Sequence, residues 1–207
     1  LVFPLLTTAA GTKFGKSEGD NIWLDPEKTS PYRFYQFWLN TDDRDVERYL
    51  RFFTFLPLDT IQEIVAVHTE NPSERHGQRI LAKDVTARVH GEETVERVMA
   101  ASAILFGDAD IRAVAGQVFD VLAKEIPVTV VPRPDLERGY PLVDAVLAAG
   151  LASSKSDARR VLQGNGYAVN GEKASDPERS LGTDDLLQGG WIVVQKGRKN
   201  YGLLKVG

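Results

Sequence analysis

The chain has 207 residues, 43% hydrophobic and 26% charged, a balance that supports a buried core and removes the disordered, collagen-like and mucin-like classes. Its formal net charge of −4 is wrong for a protein that coats nucleic acid indiscriminately, and the absence of cysteine removes disulfides, thiolate metal sites and a catalytic thiol. At roughly 150 residues per domain the length points to one or two domains, and no apolar run approaches the roughly 18 to 20 residues of a membrane-spanning helix.

In chain order, Gly11, Gly15, Gly19 and Pro26 leave no room for a long helix in the first thirty residues, which read as strand, glycine loop and extended segment. Thr29-Ser30-Pro31 predicts a helix start, with a hydroxyl cap and proline in the first turn, leading into the aromatic run up to Leu39. Asn40-Thr41-Asp42-Asp43 predicts a second start, followed by Val46, Tyr49, Leu50 and Phe53 at helical spacing up to Pro57. Further helices are expected over 59–68, 72–90 and 92–106, with one or two shorter ones up to 125. Short connections between them imply a compact helical domain.

Residues 126–138 hold three prolines and a β-branched run, so they read as an extended linker. After it, 142–149 is expected as a short helix closed by Gly150, and Ser153 or Ser154 caps another that ends near Gly164 to Gly166. Tyr167 to Val169 leads into an Asn170-Gly171 hairpin turn. A second hairpin is expected to join 191–196 to 201–206 across Gly197-Arg198-Lys199-Asn200, giving two helices on a small sheet.

The charge is unevenly spread. Residues 1–138 carry 16 basic and 22 acidic groups, residues 139–207 carry 9 and 7, and from Leu186 onward there are four basic groups and no acidic one. A positive patch confined to one end of an acidic chain fits either a nucleic-acid contact or a lysine-rich solvated edge. In the helix after Ser154, Ala158, Val161 and Leu162 form the apolar stripe, leaving Lys155 and Arg159 facing outward beside Arg160. With Lys173, Lys196, Arg198 and Lys199 they form a candidate surface for an RNA backbone. Such contacts position RNA, whereas reading an unstacked guanine takes acceptors opposite its N1 and N2 donors. Asp42, Asp43 and Asp45 are the candidates for that task, with helix capping as the alternative. Tyr35, Phe37 and Trp38 fit either base stacking or the core. His68, His76 and His90 have no ligand-like spacing, so no metal site is expected.

Gly11-Thr12-Lys13-Phe14-Gly15-Lys16-Ser17 invites a phosphate-loop reading, but three residues separate Gly11 from Gly15-Lys16-Ser17 where four are needed, and no helix can follow. What remains is a glycine-flanked loop with Lys13, Lys16 and Ser17, suited to following charge from a triphosphate into departing pyrophosphate. Lys13-Phe14-Gly15-Lys16-Ser17, with Glu18-Gly19 and Ile22-Trp23-Leu24-Asp25, resembles the second signature of class I aminoacyl-tRNA synthetases in the form found in bacterial-type tyrosyl-tRNA synthetases; Ser17 stands where many of them carry threonine. The run from Thr29 to Trp38, Asn40 to Asp45, Arg51 to Leu56 and Val89-His90-Gly91-Glu92-Glu93 resemble that family's helical anticodon-binding domain, in the same order. Ser154 to Arg160, Val169 to Lys173 and Lys196 to Tyr201 resemble its S4-like RNA-binding module.

The resemblance implies a multidomain α and α+β fold. It comprises a loop-rich remnant of a class I catalytic domain at 1–30, a helical anticodon-binding domain at 31–126, a linker at 127–138 and an S4-like α+β domain at 139–207. It also implies catalytic roles for Lys13, Lys16 and Ser17, with Lys16 touching ATP, which serves with Mg2+ as co-substrate of the intact enzyme. Further implications are tRNA(Tyr) as partner, a cytoplasmic location and a homodimer joined mainly through the catalytic domain. With Met99 its only methionine, and opening at Leu1 with neither an initiator residue nor the basic n-region of a signal peptide, the chain is expected to be a piece of a longer protein, monomeric, free of bound cofactor, able to bind tRNA and unable to activate tyrosine. The competing expectation is a non-enzymatic S4-type RNA-binding protein, which has no reason to carry the loop at Lys13 to Ser17.

Overall fold

Ser30 opens the first helix as its spacing requires. In the computed structural model, which describes residues 5–11, 13–14, 21–106 and 109–207, the Ser30 hydroxyl accepts the Arg33 N–H at 3.1 Å and Pro31 takes the first helical position of α1 (Pro31–Leu39). The chain divides into two units, Leu1–Val98 and Met99–Gly207, with the division inside α5 (Glu92–Phe106).

In the first unit α4 (His76–His90) packs against α1, α2 (Val46–Phe53) and α3 (Leu58–Glu70). Phe34, Tyr35 and Trp38 of α1 are buried with Val46, Tyr49 and Leu50 of α2, Ile61 and Ile64 of α3, and Leu81, Ala82 and Val85 of α4. Tyr35 and Trp38 are therefore core residues; Trp38 lies 4.8 Å from the Phe53 ring and 6.1 Å from Phe34. The approach of α4 to α2 depends on Gly77, where an added Cβ would sit 2.4 Å from Val46 Cγ1. The helix expected over 72–90 is broken. Pro72–Glu74 is a 3-10 turn, and Arg75 adopts φ 52° before α4 begins. Its guanidinium donates to Asn40 Oδ1 at 2.9 Å, which gives the break a partner on the α1 side.

The second unit is built on a five-stranded sheet in the order β1-β7-β6-β3-β4, from β1 (Val128–Val131), β3 (Tyr167–Val169), β4 (Glu172–Ala174), β6 (Trp191–Lys196) and β7 (Asn200–Val206). β1 runs parallel to β7 and the other pairs are antiparallel. Tyr140–Pro141 (β2) and Ser180–Leu181 (β5) form a separate two-stranded pair. On one face α8 (Leu142–Ala148) and α9 (Lys155–Gln163) bury Leu142, Val146, Ala158 and Leu162 against Tyr167, Val169, Ile192, Val194 and Leu204. On the other face the Tyr201 hydroxyl donates to the Ile104 carbonyl of α5 at 3.2 Å. There Gly116, which opens α6 (Gly116–Leu122), lies against Gln188 and Gly189.

Both expected hairpins are present. The linker expected at 127–138 is not. Val128 to Val131 pair in register with Leu203 to Val206, and α7 (Arg133–Glu137) follows at once, with the Arg133 N–H bonded to the Gly207 carbonyl at 2.9 Å. The three prolines bracket this edge strand and start the short helix, both positions that tolerate a missing N–H.

Candidate nucleic-acid interface

α9 is set by its cap and its stripe. The Ser154 hydroxyl accepts the Asp157 N–H at 3.1 Å, while Ala158 and Leu162 are fully buried and Val161 packs against the same core, which leaves Lys155, Arg159 and Arg160 on the exposed side. Of these, Lys155 pairs with Asp144 of α8 at 2.6 Å, and Arg160 pairs with Asp157 at 2.7 Å. The Arg160 hydrogen bond, followed by the Ser153 N–H, holds the Asp157 carboxyl below the usual range. Arg159 is exposed and has no ion pair or hydrogen bond among the described residues.

The β6–β7 turn meets the end of α9. The Gly197 N–H donates to the Gly166 carbonyl at 2.9 Å, just past the helix, and Gly197 takes φ 61°, a conformation open to glycine. The turn therefore presents Arg198 and Lys199, exposed and unpaired among the described residues, beside the residues that follow α9.

Lys196 does not join them. Its Nζ donates to the Leu151 carbonyl at 2.8 Å, lies 3.7 Å from Asp157 and stands 5.9 Å above the Tyr167 ring. Tyr167 donates to the same carbonyl at 3.0 Å. Lys173 is exposed but points elsewhere. It is paired with Ala168 and precedes buried Ala174 of the α8–α9 core, so strand alternation puts its side chain on the opposite face of the sheet from α9.

The three aspartates divide as well. Asp42 is exposed, caps a 3-10 turn at Asp43–Asp45, and takes two bonds from the Arg44 guanidinium at 2.9 and 2.8 Å. These bonds, with the Arg44 backbone N–H, lower its pKa to about 2. Asp43 accepts Gln78 Nε2 at 2.6 Å, with His68 Nε2 at 3.4 Å. Asp45 is 4% exposed and accepts the Ala9 N–H at 2.9 Å.

Lys13 is exposed and bridges antiparallel to Thr7. Lys16 and Ser17 lie outside the described residues.

Two roles escaped the sequence. Asn170, read as a turn residue, is 2% exposed, donates to the Asp185 carbonyl at 2.7 Å and accepts the Val193 N–H at 2.9 Å. Its neighbour Gly171 signalled the turn, but nothing local signalled those distant partners. Arg48 donates to the Thr7 carbonyl at 3.0 Å, across 41 residues. Among the described residues no three potential metal ligands group together, and no helix is long and apolar enough to cross a membrane.

The family described as tRNA synthetases class I (W and Y) matches residues 1–107, and the Tyrosine–tRNA ligase SYY-like C-terminal domain matches residues 119–204. The chain is 52% identical over 206 residues to a tyrosine–tRNA ligase of Anaeromyxobacter dehalogenans, covering 100% of the chain and 49% of that relative. It is 45% identical over 207 residues to that of Roseiflexus castenholzii, with the same two coverages. The chain thus spans about half the length of the curated relatives it matches. A solved C-terminally truncated mitochondrial tyrosyl-tRNA synthetase of Aspergillus nidulans aligns with 41% of this chain and 25% of its own at 40% identity, with a TM-score of 0.40. With a family match over more than half its length and a tyrosine–tRNA ligase domain after it, the chain belongs to the tyrosyl-tRNA synthetases of class I.

Proposed function

We propose that this chain is the tRNA-holding part of a tyrosine–tRNA ligase, the enzyme that joins tyrosine to tRNA(Tyr) through a tyrosyl-adenylate made from ATP. What supports the reading is a match to such ligases over the whole of this chain and about half of theirs, together with Arg159 and Arg160 on α9 and Arg198 and Lys199 on the turn that meets its end. Phosphate contacts from that end position an RNA without reading its bases. Residues 139–207, joined by β1 and α7 of 127–138, serve as the S4-like RNA-binding domain, and the helices of 31–126 serve the anticodon arm, with Asp42 and Asp43 the exposed carboxylates for a guanine edge. Lys13, Lys16 and Ser17 supply charge to the departing pyrophosphate in the complete enzyme, with Lys16 on ATP and Mg2+ bound with the nucleotide. That enzyme is a cytoplasmic homodimer, and the present chain is monomeric.

The test is tRNA(Tyr) binding by the 207-residue chain, followed by fluorescence anisotropy, alongside tyrosine-dependent ATP–pyrophosphate exchange. Binding without exchange is expected. Robust exchange, or tRNA(Tyr) bound no better than polyuridylate, overturns the reading.

A further inference from the structure

We infer that Asp45 and Arg48 are positioning residues that hold the turn carrying Lys13, and that Asp45 takes no part in reading RNA. The turn closes on itself through the Gly11 N–H to the Thr8 carbonyl at 2.8 Å and the Phe14 N–H to the Leu6 carbonyl at 3.0 Å, with Lys13 bridged to Thr7. Asp45 grips it at the Ala9 amide, and Arg48, three residues along, grips it at the Thr7 carbonyl and at the Thr7 hydroxyl, 3.4 Å away. The residue after Lys13 provides the third attachment. The Phe14 ring lies 5.1 to 5.9 Å from the rings of Phe53, Tyr49, Phe37 and Trp38. A carboxylate, a guanidinium and an aromatic cage from α1 and α2 thus fix the base of the loop from which Lys13 extends.

The burial of Asp45 decides between the two roles. At 4% exposure, with an oxygen already committed to a backbone amide, it has no free edge for a base, whereas Asp42 three residues earlier is exposed. A buried carboxylate bonded to an amide is stronger than a neutral bond and costly to break, which suits a fixed attachment. The catalytic use of Lys13 rests on the proposed function; the attachment does not.

Amide hydrogen exchange by NMR on the 207-residue chain tests it. Asp45→Ala should speed exchange at Ala9 by about tenfold to a hundredfold, the loss of one charged hydrogen bond. The Leu50 and Val85 amides should keep their wild-type rates and tRNA(Tyr) affinity should stay within about twofold. Asp45→Asn keeps an acceptor of the same shape without the charge, so its Ala9 rate should fall between the two, and it serves alone if the alanine variant does not fold. Unchanged Ala9 exchange overturns the inference, as does a tenfold loss of tRNA affinity with Ala9 still protected. In a ligase containing this chain, Asp45→Asn should lower kcat for pyrophosphate exchange and leave KM for tyrosine alone; an unchanged kcat removes the positioning role. Failure of the synthetase reading would appear in the wild-type chain's tRNA binding and leave the Ala9 result standing.

Discussion

Arg44 closes on Asp42 with two donors, on the two oxygens that a guanine N1 and N2 edge would use. Base reading by Asp42 therefore requires Arg44 to release it. The pair is exposed, so its direct trace is a titration. The Asp42 carboxyl is expected to titrate at about 2 by carbon-detected NMR, and Arg44→Ala should return it toward the ordinary value of about 3.9. Because the folded-state value is depressed, the contribution of the pair to stability is present above about pH 4 and is lost as the pH falls through about 2. An Asp42 that titrates normally in the wild-type chain would show that the pair does not persist in solution. Lys196 illustrates what residue type alone conceals. A lysine beside Arg198 and Lys199 reads as part of a surface patch, yet the strand register sends it inward to the Leu151 carbonyl.

Among the elements, those governed by local chemistry were legible in the sequence. Ser30 caps α1 as expected, Ser154 rather than Ser153 caps α9, and 92–106 forms a helix over the expected span. The two hairpins lie where Asn170-Gly171 and the turn at Gly197 place them. Elements that depend on distant partners were not legible. Val128 to Val131 become a strand because β7, about seventy residues later, offers its edge, and a proline-flanked run carries no mark of that partner. The aspartates of 42–45 share one sequence pattern, yet tertiary neighbours alone send Asp43 to Gln78 and Asp45 to Ala9. Gly77 is another such position. Within a helix pattern it reads as a weak spot, but it is where α4 meets Val46. Gly77→Ala should gain helix propensity and still lose about 1 to 3 kcal/mol to overpacking, read as a lower urea midpoint. A stabilised variant would mean that the two helices separate without cost.

Across the whole molecule, a net charge of −4 conceals a basic C-terminal third. Under the proposed function, that distribution lets RNA be held by the basic third while the acidic remainder discourages indiscriminate binding. The four proposed phosphate contacts, Arg159, Arg160, Arg198 and Lys199, set the scale of the electrostatic contribution, since each neutralised phosphate releases counterions. The decisive measurement is the affinity of the 207-residue chain for tRNA(Tyr) across a salt series. Log affinity should fall against log salt with a slope between about −3 and −4, and Arg159→Ala with Arg198→Ala should flatten it by about 1.5 to 2. A flat response in the wild-type chain, or a slope that the double substitution leaves unaltered, would contradict the proposed contacts.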